Sequence, residues 1–215
     1  MVLANAHVVV SASQDAAFGQ VVNGADMATP DGAPVAWMVR KLGYPAQPRV
    51  SGPDLTWELL KRCADGSLPV YFFGSSRETL DALASRITAA FPDLLVAGFE
   101  APPFRAMTEA EDTEAVDRIN GSGAGLVFVG LGCPKQEHWM AAHRGRINAV
   151  MLGVGAAFDF HAGTVSRAPA WMRDHGLEWL HRLWSEPRRL WKRYLVTNTL
   201  FVLGAARQLL GMKFR

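Results

Sequence analysis

With 215 residues, of which 49% are hydrophobic and 20% charged, the chain is long enough for one well-filled core plus an appendage. Cys63 and Cys133 are too few for a disulfide framework and fit no Cys-x-x-Cys or Cys/His zinc pattern, which suits a reducing cytosol. The net charge of +2 is close to balance, and the opening MVLANAHVVV lacks the basic start and long apolar core of a secretion signal.

In chain order, residues 6–10 read as a strand and residues 14–23 as a helix. Thr29-Pro30-Asp31-Gly32 is a turn signal between two apolar segments. It is either an ordinary turn or a device that leaves Asp31 exposed at the mouth of a sheet, where the following helix carries Val35, Trp37 and Met38. A carboxylate held there acts as a general base if its surroundings raise its pKa. Residues 45–56, PAQPRVSGPDLT, form a loop before a helix starting near Asp54; Arg49 is the loop's cation, solvated or in contact with an anion. Residues 70–73 form a buried strand that Gly74-Ser75-Ser76 turns into a helix over residues 78–90. Residues 94–97 are a third strand, the prolines of the following APPFR loop interrupt regular structure, and residues 107–120 are a charged amphipathic helix.

LVFVGLGCPKQE, residues 126–137, is the centre of the reading: a buried strand breaks at Gly130 and Gly132, and Pro134 opens a helix. In an open parallel sheet, nucleotides and phosphates bind above such a corner, on the free N–H groups of the helix, with Lys135, Gln136 and Glu137 beside them. The Gly74 corner repeats the plan, so the two corners are expected side by side. Residues 149–154 are a further strand, ending at Gly153 and Gly155. His161 is expected to be a packed histidine, whereas Asp159, between two phenylalanines, is a partly buried carboxylate that holds either a loop or a ligand. Strands alternating with helices at crossover spacings give an α/β fold, a mostly parallel, Rossmann-like sheet with helices on both faces. No Asp-x-Asp, GxxxxGK[ST] or GxSxG occurs, so phosphate charge falls to helix N-termini and to cations; no metal and no cofactor is expected.

From Gly176 the composition changes. Leu180, Trp184, Trp191, Tyr194 and Leu195 recur at helical spacing, with Arg182, Arg189, Lys192 and Arg193 largely opposite them, and Ser185-Glu186-Pro187 divides the stretch into two helices. Basic residues opposite a Trp/Leu face suit a helix lying on an anionic membrane surface; a core-packing pair with solvated arginines is the alternative. The uncharged run 194–206 is too short to span a bilayer, for which about 20 apolar residues are needed. The same arginines can fold back onto a diphosphate. Nucleic acid is a poorer partner, because bulky apolar residues interrupt the basic helix.

Asp31-Gly32, RVSGPDL at 49–55, PPFR at 102–105, VGLGCPKQE at 129–137, GVGAAFDFHAG at 153–163 and RAPAWMRDHGLEWLHRLWSEPRRLWKRY at 167–194 together closely resemble the bacterial WecG/TagA/CpsF glycosyltransferases. The resemblance covers nearly the whole chain. It implies an inverting, metal-independent enzyme at the inner face of the cytoplasmic membrane, moving a sugar of the N-acetylmannosamine type, or glucose, from a UDP donor to a polyprenyl-diphosphate-linked sugar in cell-surface polysaccharide biosynthesis. On that basis Asp31 is the catalytic base. Gly74, Gly130, Gly132, Lys135, Gln136, Glu137, Gly153 and Asp159 form the UDP-sugar site, and Asn5, Arg49, Arg182, Arg189 and Arg193 the acceptor or diphosphate site. Residues 1–170 are then the catalytic domain and residues 171–215 a membrane-associating helical appendage, which can also dock on a neighbouring subunit as a homo-oligomer. Two departures stand out: family members usually carry a few dozen residues before the position of Asn5, and many have Thr where this chain has Leu3. Both favour a second reading, a membrane-peripheral nucleotide-sugar binding protein with impaired catalysis, against which the retained Asp31 speaks.

Overall fold

Apolar runs without polar alternation become the centre of a parallel sheet, as strands covered on both faces should. In the computed structural model, which describes residues 1–213, β1 (Val2–Ala4) is followed by α1 (Ala6–Gln14) and α2 (Ala16–Asn23), and β2 (Ala28–Pro30) by α3 (Ala33–Lys41) and α4 (Gly52–Asp65). Then come β3 (Val70–Gly74), α5 (Arg77–Ala90), β4 (Val96–Glu100), α6 (Glu109–Gly121), β5 (Leu126–Gly130), α7 (Lys135–Ala142) and β6 (Val150–Gly153). The chain continues through α8 (Ala157–Ala162), α9 (Ala170–Asp174), α10 (Glu178–Ser185) and α11 (Pro187–Lys213). The six strands form one parallel sheet in the order β2-β1-β6-β5-β3-β4, an α/β Rossmann-like fold.

Two compact units divide the chain. One holds residues 1–2, 24–27 and 52–165; the other holds residues 3–23, 28–51 and 166–215. In the first, Phe72 is fully buried and stacks between Phe99 and Phe128 at 4.8 and 5.3 Å, with the edge of Phe158 at 5.7 Å. Burying side chains of this size supplies about 1.5–3 kcal/mol each, which is why the VYFF and LVFV runs form interior strands of the sheet. β3 and β5 pair in register from Val70↔Leu126 to Gly74↔Gly130, so the two glycine corners are neighbours, as expected. In the second unit, α11 lies against α1 and α10, burying Leu190 and Thr197 and crossing Trp179 of α10 with Tyr194 edge to face at 6.1 Å. Among the described residues no helix is long and apolar enough to cross a membrane.

Three local expectations are corrected. Residues 6–10 are the start of α1, not a strand: the Asn5 side chain accepts from the N–H groups of His7 and Val8, and this N-cap, with Val8 and Val10 buried and Val9 exposed, outweighs the β preference of three valines. The strand expected at 94–97 lies two residues later, at Val96–Glu100, because Leu94 bonds back to Phe91 in the turn that ends α5. The helix expected near Asp54 already begins at Gly52. The division of residues 185–187 into two helices is found as read.

Candidate active site

In the second unit, Asp31 follows the last residue of β2. Its N–H donates to Ala4 O at 3.0 Å, and Val50 N–H donates to Pro30 O at 2.9 Å, which ties the loop carrying Arg49 to the same strand end. Gly32 is the N-cap of α3 at φ 83°, a left-handed conformation that suits glycine and allows the chain to turn sharply beside the carboxyl. Asp31 is half-buried rather than exposed, because this turn folds it inward. Burial pushes its carboxyl up to about 6; Arg49 pulls the other way, Glu178 adds to the rise, and the Gly32 N–H and Arg182 oppose it.

The cations around it are tied down. Arg49 pairs through Nη2 with Glu178 and donates from Nη1 to Arg173 O at 3.5 Å. Arg167 donates to Ser51 Oγ at 3.2 Å, and its Nε lies 3.8 Å from Glu178. At the C-cap of α10, Glu186 takes Arg182 at 3.6 Å and Arg189 at 2.9 Å. Arg193 stands over the Tyr194 ring at 5.6 Å and is close enough to His7 for its charge to add to the lowering that burial imposes on that imidazole. The structure thus gathers Asp31, Arg49 and Arg182, three of the predicted site residues, into one electrostatic cluster. Asn5 commits its side-chain oxygen to capping α1. Sequence reasoning missed Glu178; the available signal was that Glu178 and Glu186 are the only acids in the basic stretch after Gly176.

In the first unit the glycine corners meet tightly. A Cβ on Gly74, at φ +124°, would stand 2.6 Å from the Gly130 carbonyl carbon, and one on Gly130 would stand 2.6 Å from the Phe158 ring. Ser75 N–H donates to Gly130 O at 3.1 Å and so links the corners. Gly132 is left-handed with open space around it, and Pro134 caps α7. Lys135 is exposed, while Gln136 and Glu137 are buried. Gln136 Nε2 donates to Glu137 Oε1 at 2.9 Å, and its Oε1 accepts from Gly155 N–H at 3.0 Å, so one amide braces the corner after β6. Gly153 is needed there, since a Cβ would come within 2.8 Å of Met140 and 3.0 Å of Gln136. Burial raises the Glu137 carboxyl, against the bond from Gln136. Asp159, half-buried on α8, closes that helix through its carbonyl, which accepts from Thr164 N–H at 3.1 Å. His161 is packed as expected: its Nε2 lies 2.8 Å from Pro53 O and its ring stacks on Trp57 at 4.6 Å.

A carboxyl with a pKa near neutrality, flanked by fixed guanidiniums, can accept a proton while its surroundings hold an anion. The sequence profile of the "Glycosyl transferase WecG/TagA/CpsF family" matches residues 1–215. The chain belongs to that family. It is 32% identical over 196 residues to the N-acetylglucosaminyldiphosphoundecaprenol N-acetyl-beta-D-mannosaminyltransferase of Bacillus spizizenii, covering 91% of this chain and 74% of that one. It is 30% identical over 192 residues to the protein of the same name from Bacillus subtilis, covering 89% and 73%. The chain is therefore a glycosyltransferase, as its motifs led one to expect.

Proposed function

We propose that this glycosyltransferase moves an N-acetylmannosamine-type sugar from a UDP donor to a polyprenyl-diphosphate-linked N-acetylglucosamine, with inversion and without a metal ion. The acceptor hydroxyl gives its proton to the Asp31 carboxylate as its oxygen attacks the anomeric carbon; the bond from that carbon to the UDP oxygen breaks, and the electron pair leaves on the diphosphate. Gly74, Gly130, Gly132 and Gly153, with Lys135 at the opening of α7 and Gln136, Glu137 and Asp159 as supports, make up the donor site. Arg49, Arg182, Arg189 and Arg193 meet the diphosphate charge, and Asn5 fixes the start of α1 beside Ala4. The names of the two relatives support the sugar and the acceptor. The observation that carries the reading is the Asp31 carboxyl, held at about 6 with Arg49 and Arg182 acting on it.

Residues 171–215 serve as the membrane-facing appendage at the inner face of the cytoplasmic membrane; residues 214 and 215 lie outside the described residues. Support comes from apolar side chains left on the outside of the tail, Trp184 at 86% exposure, Leu195 at 63% and Val202 at 63%. The test is transfer of radiolabelled sugar from UDP-N-acetylmannosamine to a short prenyl-diphosphate N-acetylglucosamine. Asp31→Asn should lower turnover by about 10²–10⁴-fold with UDP binding kept, and a chelator should leave the wild-type rate unchanged. Retained turnover in the variant overturns the base assignment, and loss of activity on chelation overturns the metal-free scheme.

A further inference from the structure

Glu178 organises two cations of the second unit. It projects from α10 with its side chain 17% exposed, and two guanidiniums from separate segments converge on it: Arg49 bonds one carboxylate oxygen, and Arg167 Nε lies 3.8 Å from the other. Both arginine side chains are 23% exposed, so the cluster is largely removed from solvent. Each arginine has a second anchor, Arg173 O for Arg49 and Ser51 Oγ for Arg167, so moving the carboxylate would release both from a defined fork. A solvated ion pair would matter little to function. A half-buried carboxylate shared by two cations, one of which also acts on Asp31, sets both the position and the net charge beside that residue.

We propose that Glu178 is a positioning residue for sugar transfer, fixing Arg49 and Arg167 and offsetting their charge next to Asp31. This rests on Asp31 being the base. The charged groups acting on Asp31 are Arg49, Glu178 and Arg182, with the Gly32 N–H as the nearby dipole. When Glu178 is made neutral, its upward push on Asp31 is lost while Arg49 and Arg182 still pull downward against burial, and the Asp31 proton is lost more readily. The base is then charged at lower pH, so the acid limb of kcat/KM moves toward acid, while the loosened Arg49 lowers kcat.

The experiment is kcat/KM against pH for the full chain as wild type, Glu178→Gln and Glu178→Asp, with Asp31→Asn alongside and unfolding curves for each. Glu178→Gln should shift the acid limb down by about half a pH unit or more and lower kcat by about tenfold. Glu178→Asp keeps the charge but shortens the reach, so kcat should fall with the limb in place; this variant decides the matter should Glu178→Gln not fold. An unmoved limb in Glu178→Gln, or an undiminished kcat in either variant, overturns the proposal. Tighter binding of inorganic pyrophosphate by Glu178→Gln with an unmoved limb also overturns it, since Glu178 would then be a stand-in for a substrate phosphate. If Asp31→Asn retains turnover, the base assignment fails; if it is inactive and only the Glu178 outcomes fail, the positioning role alone falls.

Discussion

Asp31→Asn should make the protein more stable at neutral pH while sharply lowering transfer. In the unfolded chain the carboxyl titrates near 3.8, and in the folded protein near 6. The gap of about 2 pH units, at about 1.4 kcal/mol per unit, sets a ceiling of about 3 kcal/mol on the penalty for charging Asp31 in place. The sign follows from which state holds the proton more tightly. The folded state does, so the Asp31 contribution is most favourable below the unfolded pKa, declines as pH rises toward 6, and stays level above it. Asparagine carries no such slope. Urea unfolding of both proteins from about pH 4 to about pH 7.5 should show no advantage for the variant at the acid end and a growing one toward pH 6. At neutral pH the full gain would raise the melting temperature by about 5–10 °C for a chain of this size. A difference between the two proteins that does not vary with pH, or that favours wild type at neutral pH, refutes the raised carboxyl. The trade of stability for a poised charge is what a working site requires.

Gly74→Ala and Gly132→Ala test the glycine corners as a pair. Both positions are left-handed, but a Cβ at 74 meets Gly130 backbone whereas one at 132 meets open space. Backbone strain of about 1–3 kcal/mol applies to each, and overpacking adds about 1–3 kcal/mol at Gly74 alone. Chemical denaturation should therefore rank Gly74→Ala clearly below Gly132→Ala; equal losses would mean the close approach is not real. For the tail, Leu195→Glu with Val202→Glu should weaken sedimentation with anionic vesicles while leaving the fold intact by circular dichroism, because both side chains are exposed. Unchanged vesicle binding would favour a tail whose apolar residues serve packing instead.

The sheet was legible because its strands announce themselves locally. VYFF and LVFV have no reading as surface elements, and each is followed at once by glycine, so even the neighbouring placement of Gly74 and Gly130 followed from repetition of one pattern. Residues 6–10 misled for the opposite reason: three valines fit a strand, and only the Asn5 side chain, bonding two residues ahead and three ahead, tips them into helix. The ion-pair cluster was illegible for a different cause. Arg49 and Glu178 are 129 positions apart, and no periodicity links them. Asp31 was singled out as a turn residue and through the family's motif, but its raised pKa depends on burial together with the charges of Arg49, Glu178 and Arg182, which lie far off in the chain.

The pairing of tail arginines with tail acids bears on why the appendage carries Glu178 and Glu186 at all. A diphosphate site without a metal profits from many guanidiniums, yet each one brought near Asp31 makes that carboxyl more acidic and so a weaker base. Burial alone would carry the correction in the other direction, toward a carboxyl that stays protonated. Glu178 resolves the conflict locally, by neutralising Arg49 at the point where its charge reaches Asp31 most directly, and Glu186 does the same for Arg182 and Arg189. On the proposed reading the cations are held in reserve: ion-paired in the free protein, and available to an incoming phosphate at the loss of an ion pair rather than of a hydration shell. A tail stripped of both glutamates would bind anions more strongly and transfer sugar less well at neutral pH, since tighter diphosphate binding gained at the expense of base strength stabilises the ground state and not the transition state.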